Sequence, residues 1–157
     1  MAKQFTATTT WERGAQPFTD NRYSRAHEWR FDGGARVPAS SSPLSVPLPM
    51  SDAAAVDPEE ALVAAASSCH MLFFLTLCAA RGYVVDRYED AAIGTLSTGE
   101  DGKLAMTSIV LRPRIAFAGP APAQADLAHL HHQSHERCYI ANSLKTAITV
   151  EAAANHV

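Results

Sequence analysis

The chain has little of what would mark an extracellular or nucleic-acid-binding protein. Its three cysteines are an odd number and too few to cross-link a chain of this size, which excludes a disulfide scaffold and favours a reducing cytoplasm. Lysine and arginine number 13 against 16 aspartates and glutamates, and the net charge is −3. Because binding to phosphates needs concentrated positive charge, no nucleic-acid partner is predicted.

The N-terminal residues predict no secretory signal. The first residues, MAKQFTATTTWERG, hold no apolar stretch of the signal-peptide type. One later run, Ala61 to Ala80, has about the ~20 residues that a bilayer span requires. However, Ser67, Ser68, Cys69 and His70 lie at its centre, and alanine is frequent in it. We therefore predict a buried helix, no membrane association and a cytoplasmic location.

The 157 residues are 47% apolar and 18% charged, as in an ordinary globular protein. We expect a single domain over residues 1–157. Phe5 to Trp11 and His27 to Phe31 read as strands, and Gly33-Gly34 ends the second. The segment from Arg36 to Asp57 is rich in proline and serine, which favours a long surface loop or an edge segment.

A long helix is predicted after this segment. Asp57, Pro58 and Glu60 form a capping box at its start, and Gly82 is a suitable stop just beyond Ala80 or Arg81. The helix is apolar nearly all round, which predicts burial on most faces. A chain of this size rarely surrounds such a helix alone, so a homodimer is expected.

The second half of the chain mixes strands with one more helix. A strand from Tyr83 to Leu96, interrupted near Glu89-Asp90, is followed by the turn GEDGK and the strand LAMTSIVLRPRIAF. Asp126 to Asn142 reads as a helix, and AITVEA as a short last strand. The order β-β-α-β-β-α-β predicts an α+β fold.

The stretch SSCHMLFFL places Cys69 and His70 together in this apolar run. Neighbouring residues on a helix point about 100° apart, which makes the two a poor catalytic pair. We expect His70 to form a hydrogen bond elsewhere. Cys69 itself is either a buried core residue or a reactive thiol, while Cys78, without polar neighbours, is interpreted as a core residue.

Histidines dominate the second predicted helix and raise a metal hypothesis. His131, His135 and Cys138 are spaced i, i+4, i+7, which would place three potential zinc ligands on one helical face. Structural zinc sites usually draw ligands from more than one element, however. The alternative interpretation is a solvated polar face that includes His129, His131 and His132.

A two-cysteine redox scheme is a further possibility. It needs one cysteine held as thiolate and a second that reaches it after oxidation, and Cys69 and Cys138 are the candidate pair. A nearby guanidinium stabilises a thiolate, and a carboxylate can orient that guanidinium. Residue chemistry alone makes this scheme possible without selecting it.

Two segments carry a resemblance to a known family. DPEEALVAAASSCHMLFFL (57–75) resembles the Asn-Pro-Glu-Glu-Leu…Cys helix of the OsmC/Ohr peroxide-reducing proteins, with Glu59 ten residues before Cys69. HERCYIANSLK (135–145) resembles the segment of the second family cysteine, here Cys138, although Tyr139 stands where many relatives have proline. YSRAH (23–27) is similar to a YSR-x-H segment of the OsmC-like branch.

The resemblance implies an OsmC-like fold, with antiparallel sheets packed on a long buried central helix in an intertwined homodimer. It implies that Cys69 reduces an organic hydroperoxide and that Cys138 then closes a disulfide. An external dithiol, carried on lipoylated proteins in the Ohr branch, would restore both thiols.

Arg25 is the expected partner of the Cys69 thiolate, ahead of Arg22 and Arg30, and Glu59 of the second chain would orient it. No cofactor or metal is called for. Leu72 and Phe73 are candidate substrate-binding residues. The alternatives are a non-catalytic dimeric stress-related binding protein of this fold, and the zinc protein described above.

Overall fold

The computed structural model describes residues 2–151. It contains eight strands and three helices within these residues, arranged as three small sheets. This confirms the α+β class. The backbone contacts divide the chain into two compact units, Met1–Ala61 and Leu62–Val157, and the single domain expected over 1–157 stays a prediction.

The first unit carries an antiparallel sheet in the order β1-β2-β3. Strands β1 (Ala7–Thr10) and β2 (His27–Phe31) confirm the two strands predicted there. Strand β3 (Arg36–Ala39) lies in the segment interpreted as a loop or edge. It is an edge strand, a place where a proline such as Pro38 is tolerated because its missing N–H faces away from the partner strand.

Helix α1 (Pro58–Ala80) begins and ends where the sequence predicts. The backbone N–H of Glu60 donates to Asp57 Oδ1 at 2.8 Å, and the N–H of Asp57 donates to Glu60 Oε2 at 3.2 Å. This reciprocal capping box satisfies two N–H groups that the helix leaves free. Gly82, at a φ of 79°, terminates the helix in the left-handed conformation that glycine adopts readily.

The single chain buries only one stripe of α1. The buried positions are Ala66, His70, Phe74, Leu77 and Cys78, and burial of the other faces by a second copy stays a prediction. Leu72 is 60% exposed. By length and composition α1 could cross a membrane, with a mean hydropathy of 1.9 over its most apolar window, but core helices of soluble proteins pass the same test.

The second unit holds the other two sheets. Strands β4 (Val84–Asp90) and β7 (Pro113–Ala118) pair antiparallel. Strands β5 (Ile93–Thr98), β6 (Leu104–Leu111) and β8 (Ala147–Val150) form the third sheet, in which β6 and β8 run parallel. The purely antiparallel sheets that the resemblance implied are therefore wrong for this pair.

The predicted strand boundaries also need correction. The segment read as one interrupted strand is β4 followed by β5, and LAMTSIVLRPRIAF is β6 followed by β7; in both cases the two strands belong to different sheets. The turn between β5 and β6 is confirmed by the bond from Gly99 N–H to the Lys103 carbonyl at 2.8 Å. Ala152, the last residue of the predicted AITVEA strand, lies outside the described residues.

The predicted helix from Asp126 to Asn142 is two helices. Helix α2 (Gln124–Arg137) ends at Cys138, which is extended at φ −67° and ψ 109°, and helix α3 (Tyr139–Ser143) follows at once. Two apolar clusters hold these elements to α1. One is centred on Phe74, Ile115 and Leu130, and the other on Ile109 and Leu111.

Candidate redox site

Two of the three cysteines meet within the second unit. Cys69 is half-buried in the middle of α1, and Cys138 is 1% exposed at the break between α2 and α3. The two side chains are close enough for the Cys69 thiol to raise the pKa of Cys138, and both are free thiols. The break positions Cys138, since the extended conformation there lets its sulfur accept a bond from the N–H of Ala141 at 3.4 Å.

The environment of Cys138 keeps it protonated. Burial raises the pKa of its thiol to about 11, and the neighbouring Cys69 thiol acts in the same direction. The backbone N–H groups of Ala141 and Ile140 oppose this shift because they stabilise the thiolate, but they do not overcome it. Cys138 is therefore a buried proton-bearing thiol beside a half-exposed one.

Cys78 behaves as the core residue that the sequence indicates. It is buried in the apolar cluster with Phe74 and Leu77. Burial raises the pKa of its thiol to about 11, against a smaller opposing effect of Arg81. An inert, protonated thiol is expected from such surroundings.

His70 does form its hydrogen bond away from Cys69, as predicted. Its Nε2 lies 3.0 Å from Nδ1 of His131, and the two rings are stacked at 5.3 Å and 11°. Burial lowers the pKa of both imidazoles to about 4. His131 is 4% exposed, so the interpretation that placed it on a solvated face is wrong for this residue.

The zinc hypothesis loses its geometric basis. Its three ligands were to share one helical face, but α2 ends before Cys138, and His131 is already bonded to His70. Among residues 2–151 there is no group of three or more histidine, cysteine or acidic side chains arranged to hold a metal ion.

Aromatic side chains flank the two thiols. Phe73 lies one turn after Cys69 on α1, and Tyr139 follows Cys138; their rings meet edge to face at 5.1 Å. Tyr139 is 73% exposed. Of the two candidate substrate-binding residues, Phe73 therefore lies next to the thiol pair, whereas Leu72 is directed towards solvent.

Arg25 lies in the first unit, where its guanidinium is held in place. The group stacks on the ring of Tyr23, 3.9 Å from the centroid. It donates to the carbonyl of Asn21 at 3.0 Å, to Asn21 Oδ1 at 2.7 Å and to the carbonyl of Tyr23. Within residues 2–151, the side chains of Arg22 and Arg30 form no hydrogen bond or ion pair.

Glu59 and Arg25 line the same cavity of the first unit. Its volume is about 430 Å³, and most of its wall is formed by three aromatic side chains and a row of serine hydroxyls: Trp11, Phe18, Tyr23, Ser40, Ser41, Ser42 and Ser45. The Glu59 carboxylate forms no hydrogen bond or ion pair with any other residue in the range 2–151. The Glu59 carboxylate can therefore accept hydrogen bonds from a group outside these residues.

Sequence reasoning missed two parts of this arrangement. One is His131 as the partner of His70, because nothing in the histidine spacing distinguishes a buried member. The other is the aromatic wall, in which Phe18 and Tyr23 stack at 4.6 Å and Trp11 lies 5.4 Å from Tyr23. Phe18 falls in a segment that has no strand or helix pattern.

The fold and the site therefore define an α+β protein with a pair of neighbouring thiols, of which Cys69 is half-exposed and Cys138 is buried. The chain belongs to the OsmC family. The model of that family, described as OsmC-like protein, matches residues 51–153, which include both cysteines. No curated protein matches the chain.

Solved structures agree with this assignment. An OsmC-like protein of unknown function from Vibrio cholerae is 48% identical, with a TM-score of 0.95 over 97% of this chain and 100% of that one. An organic hydroperoxide resistance protein from Elizabethkingia anophelis is 15% identical, with a TM-score of 0.69 over 98% and 99% of the two chains.

The organic hydroperoxide resistance protein OhrB of Bacillus subtilis is likewise 15% identical, with a TM-score of 0.62 over 96% and 98%. At these identities the two resistance proteins share the fold with this chain. Since the family matches are to proteins of this α+β fold, α1 is consistent with the core helix of a soluble protein.

Proposed function

We propose that this protein is a thiol-dependent peroxidase that reduces organic hydroperoxides to alcohols. The observation that carries the proposal is the proximity of the Cys69 and Cys138 thiols, which interact across α1 and the α2–α3 junction. In the first step the Cys69 thiolate attacks the O–O bond, becomes a sulfenic acid and releases the alcohol. In the second step the Cys138 thiol displaces water from that sulfenic acid and closes a disulfide.

The two thiols suit these unequal roles. Cys69 is half-buried and within reach of a substrate, whereas Cys138 is fully buried and protonated. A buried second thiol is protected from the peroxide and reacts only with a neighbouring sulfur. An external dithiol, such as a lipoyl group on a partner protein, would then reduce the disulfide by thiol exchange.

A homodimer completes this proposal. Glu59 and Cys69 are both on α1, and their ten-residue separation corresponds to about 15 Å along a continuous helix. One arginine cannot contact both within one chain. If two copies of α1 cross antiparallel, Glu59 and Arg25 of one chain approach Cys69 of the other, and the exposed apolar residues of α1 become buried.

Family membership supports the proposal, because the fold is shared with organic hydroperoxide resistance proteins. The apolar side chains near Cys69, Phe73 among them, favour an oily peroxide over hydrogen peroxide. No cofactor is needed, since the sulfur atoms exchange the electrons themselves.

The test is consumption of cumene hydroperoxide with dihydrolipoamide as reductant. Wild type and Cys78→Ser should turn over, Cys69→Ser should be inactive, and Cys138→Ser should react once and then stall. Mass spectrometry after one equivalent of peroxide should find a Cys69–Cys138 disulfide in wild type. Catalysis by Cys69→Ser at the wild-type rate would rule the proposal out.

The role of Arg25 as the partner of the Cys69 thiolate is tested by comparing three arginine variants. Arg25→Lys, Arg22→Lys and Arg30→Lys remove the planar guanidinium while keeping the charge. We expect only Arg25→Lys to lower kcat/KM strongly, by about tenfold or more, since loss of an oriented charged hydrogen bond costs about 1.5–3 kcal/mol. Equal effects of all three variants would contradict the role of Arg25.

A further inference from the structure

The proposed peroxidase mechanism assigns no role to the buried pair of His70 and His131. His70 and His131 are 1% and 4% exposed, and they bond to each other at 3.0 Å across α1 and α2. We infer that the His70–His131 hydrogen bond positions Cys138 against Cys69, so that an oxidised Cys69 closes to a disulfide before it is oxidised further. This inference rests on the proposed peroxidase function.

The histidine pair can position Cys138 because of where the two histidines lie on α1 and α2. On α1, His70 directly follows Cys69, whereas on α2 His131 precedes Cys138 by seven residues, about 10 Å of helix. The segment that carries Cys138 thus contacts the same part of α1 at two separated points. Leu127 and Leu130 hold α2 against α1 by apolar packing, and the directional His70–His131 bond adds a fixed point between that packing and Cys138.

The bond is also difficult to replace once it is broken. Among residues 2–151, the outer nitrogens of the pair, His70 Nδ1 and His131 Nε2, are buried without a hydrogen-bond partner. Within the described part of the chain, the only hydrogen bond of each ring is therefore the one to the other ring. Phe74 stacks on His131 at 4.5 Å and closes the apolar side of the pair, so water does not substitute easily for either imidazole.

The accepting imidazole must be neutral, and with both rings neutral one donates and the other accepts without placing a charge in the core. Burial keeps them so, since it lowers the pKa of each to about 4. Two other charged or titratable groups act on His70. His135 on α2 lowers its pKa further, and Asp90 on β4 raises it slightly. At neutral pH the pair is an uncharged link between the helices.

The consequence concerns two competing reactions of the Cys69 sulfenic acid. In one, the Cys138 thiol attacks its sulfur, and the products are a disulfide and water. In the other, a second hydroperoxide oxidises it to sulfinic acid and leaves as an alcohol, which is irreversible for most proteins. The first reaction is intramolecular, so its rate depends on how long Cys138 stays in place.

Variants can separate positioning from folding. His131→Leu, His70→Leu and the double variant remove the bond, and the double variant leaves no unpaired imidazole behind. His131→Asn places an amide near the Nδ1 position, and His70→Gln places one near Nε2, so each can restore a hydrogen bond. His132→Leu, at the neighbouring exposed position of α2, is the matched control.

The first measurement needs no peroxide. Equilibration with reduced and oxidised glutathione gives the tendency of Cys69 and Cys138 to form their disulfide, in which glutathione disulfide takes up two electrons and two protons. We expect the leucine variants to lower this equilibrium constant about five- to tenfold, which is the effect of one lost hydrogen bond. A tenfold loss raises the reduction potential by about 30 mV.

The second measurement is the ratio of disulfide to sulfinic acid after excess cumene hydroperoxide, read by intact mass. The leucine variants should shift this ratio towards sulfinic acid, while His131→Asn, His70→Gln and His132→Leu stay near wild type. Circular dichroism at the assay temperature establishes that each variant is folded. If the double leucine variant is unfolded, the amide variants and the single leucine variants carry the comparison.

The outcomes distinguish the two proposals. A glutathione equilibrium within twofold of wild type in all folded leucine variants would overturn the positioning role, whatever the peroxide result. Failure of the wild type to consume peroxide, with the glutathione effect present, would overturn the peroxidase function and leave the positioning of the two thiols supported.

Discussion

The thiol of Cys69, in the middle of α1, neighbours the thiol of Cys138 at the junction of α2 and α3 and raises its pKa. A disulfide requires the sulfur atoms to approach to about 2 Å and the Cα atoms to about 4.4–6.8 Å. Because the two thiols are neighbours in the reduced protein, we expect a limited backbone movement to bring them to that geometry.

Reactivity should differ sharply among the three cysteines. Burial raises the pKa of both Cys78 and Cys138 to about 11, so at pH 7 only about one molecule in 10⁴ has either as thiolate, which is the reactive form. We expect iodoacetamide at pH 7 to modify Cys69 first. Cys78 and Cys138 should react only near pH 10 or in urea, as followed by peptide mass spectrometry. Rapid labelling of Cys78 in the folded protein would contradict its core assignment.

The start of α1 provides a stability test. Asp57→Ala removes the side-chain oxygen that accepts the Glu60 N–H at 2.8 Å, and loss of such a cap costs about 1 kcal/mol. Asp57→Ser, which retains a capping oxygen, should cost much less. Urea unfolding followed by circular dichroism gives both values. Equal loss in the two variants would mean that the charge of Asp57, rather than its cap, stabilises the helix.

Local sequence signals predicted the boundaries of several secondary-structure elements. The capping box and Gly82 defined α1 to the residue, because both act on the backbone next to them. The end of α2 at Cys138 was not predictable in this way, since no glycine or proline marks it. The division between β6 and β7 at Arg112 was missed although Pro113 marks the start of β7, because the alternating pattern continues across it.

In the candidate site, too, local motifs were predictable and contacts between elements were not. Cys69 and Cys138 were found by motif, and the resemblance paired them. The bond between His70 and His131 depends on how α2 packs on α1, which no pattern within one helix specifies. The exposed face of α1 also exceeds what the sequence suggested, because an apolar composition does not say whether the same chain or a second copy covers it.

The histidine pair predicts an acid sensitivity. The folded-state pKa of about 4 for His70 and His131 lies below the ordinary value of about 6.5, so between these values the unfolded chain binds more protons. Stability should therefore fall as the pH falls from about 6.5 to 4, by roughly 3 kcal/mol for one histidine at about 1.4 kcal/mol per pKa unit. Urea unfolding at a series of pH values measures this slope.

The control for this slope is the double variant His70→Leu/His131→Leu. It should be much less sensitive to pH over the same window, whereas His132→Leu should follow wild type. A double variant that loses stability as steeply as wild type would assign the acid sensitivity to other groups.

Gly94 in β5 tests the packing between the third sheet and α1. A Cβ atom at this position would overlap Met106 Cε and Val63 Cγ2. The end of a methionine side chain can move, but valine is restricted at χ1 and lies on the helix. We expect Gly94→Ala to destabilise the protein by about 1–3 kcal/mol, the usual cost of overpacking. Gly33→Ala, with no atom within 4 Å of the added Cβ, should be close to neutral.

Val63→Ala combined with Gly94→Ala should cost less than the sum of the two single changes, because the smaller side chain at position 63 leaves room for the added Cβ at position 94. Strict additivity in thermal or urea unfolding would show that Val63 does not limit the space at Gly94.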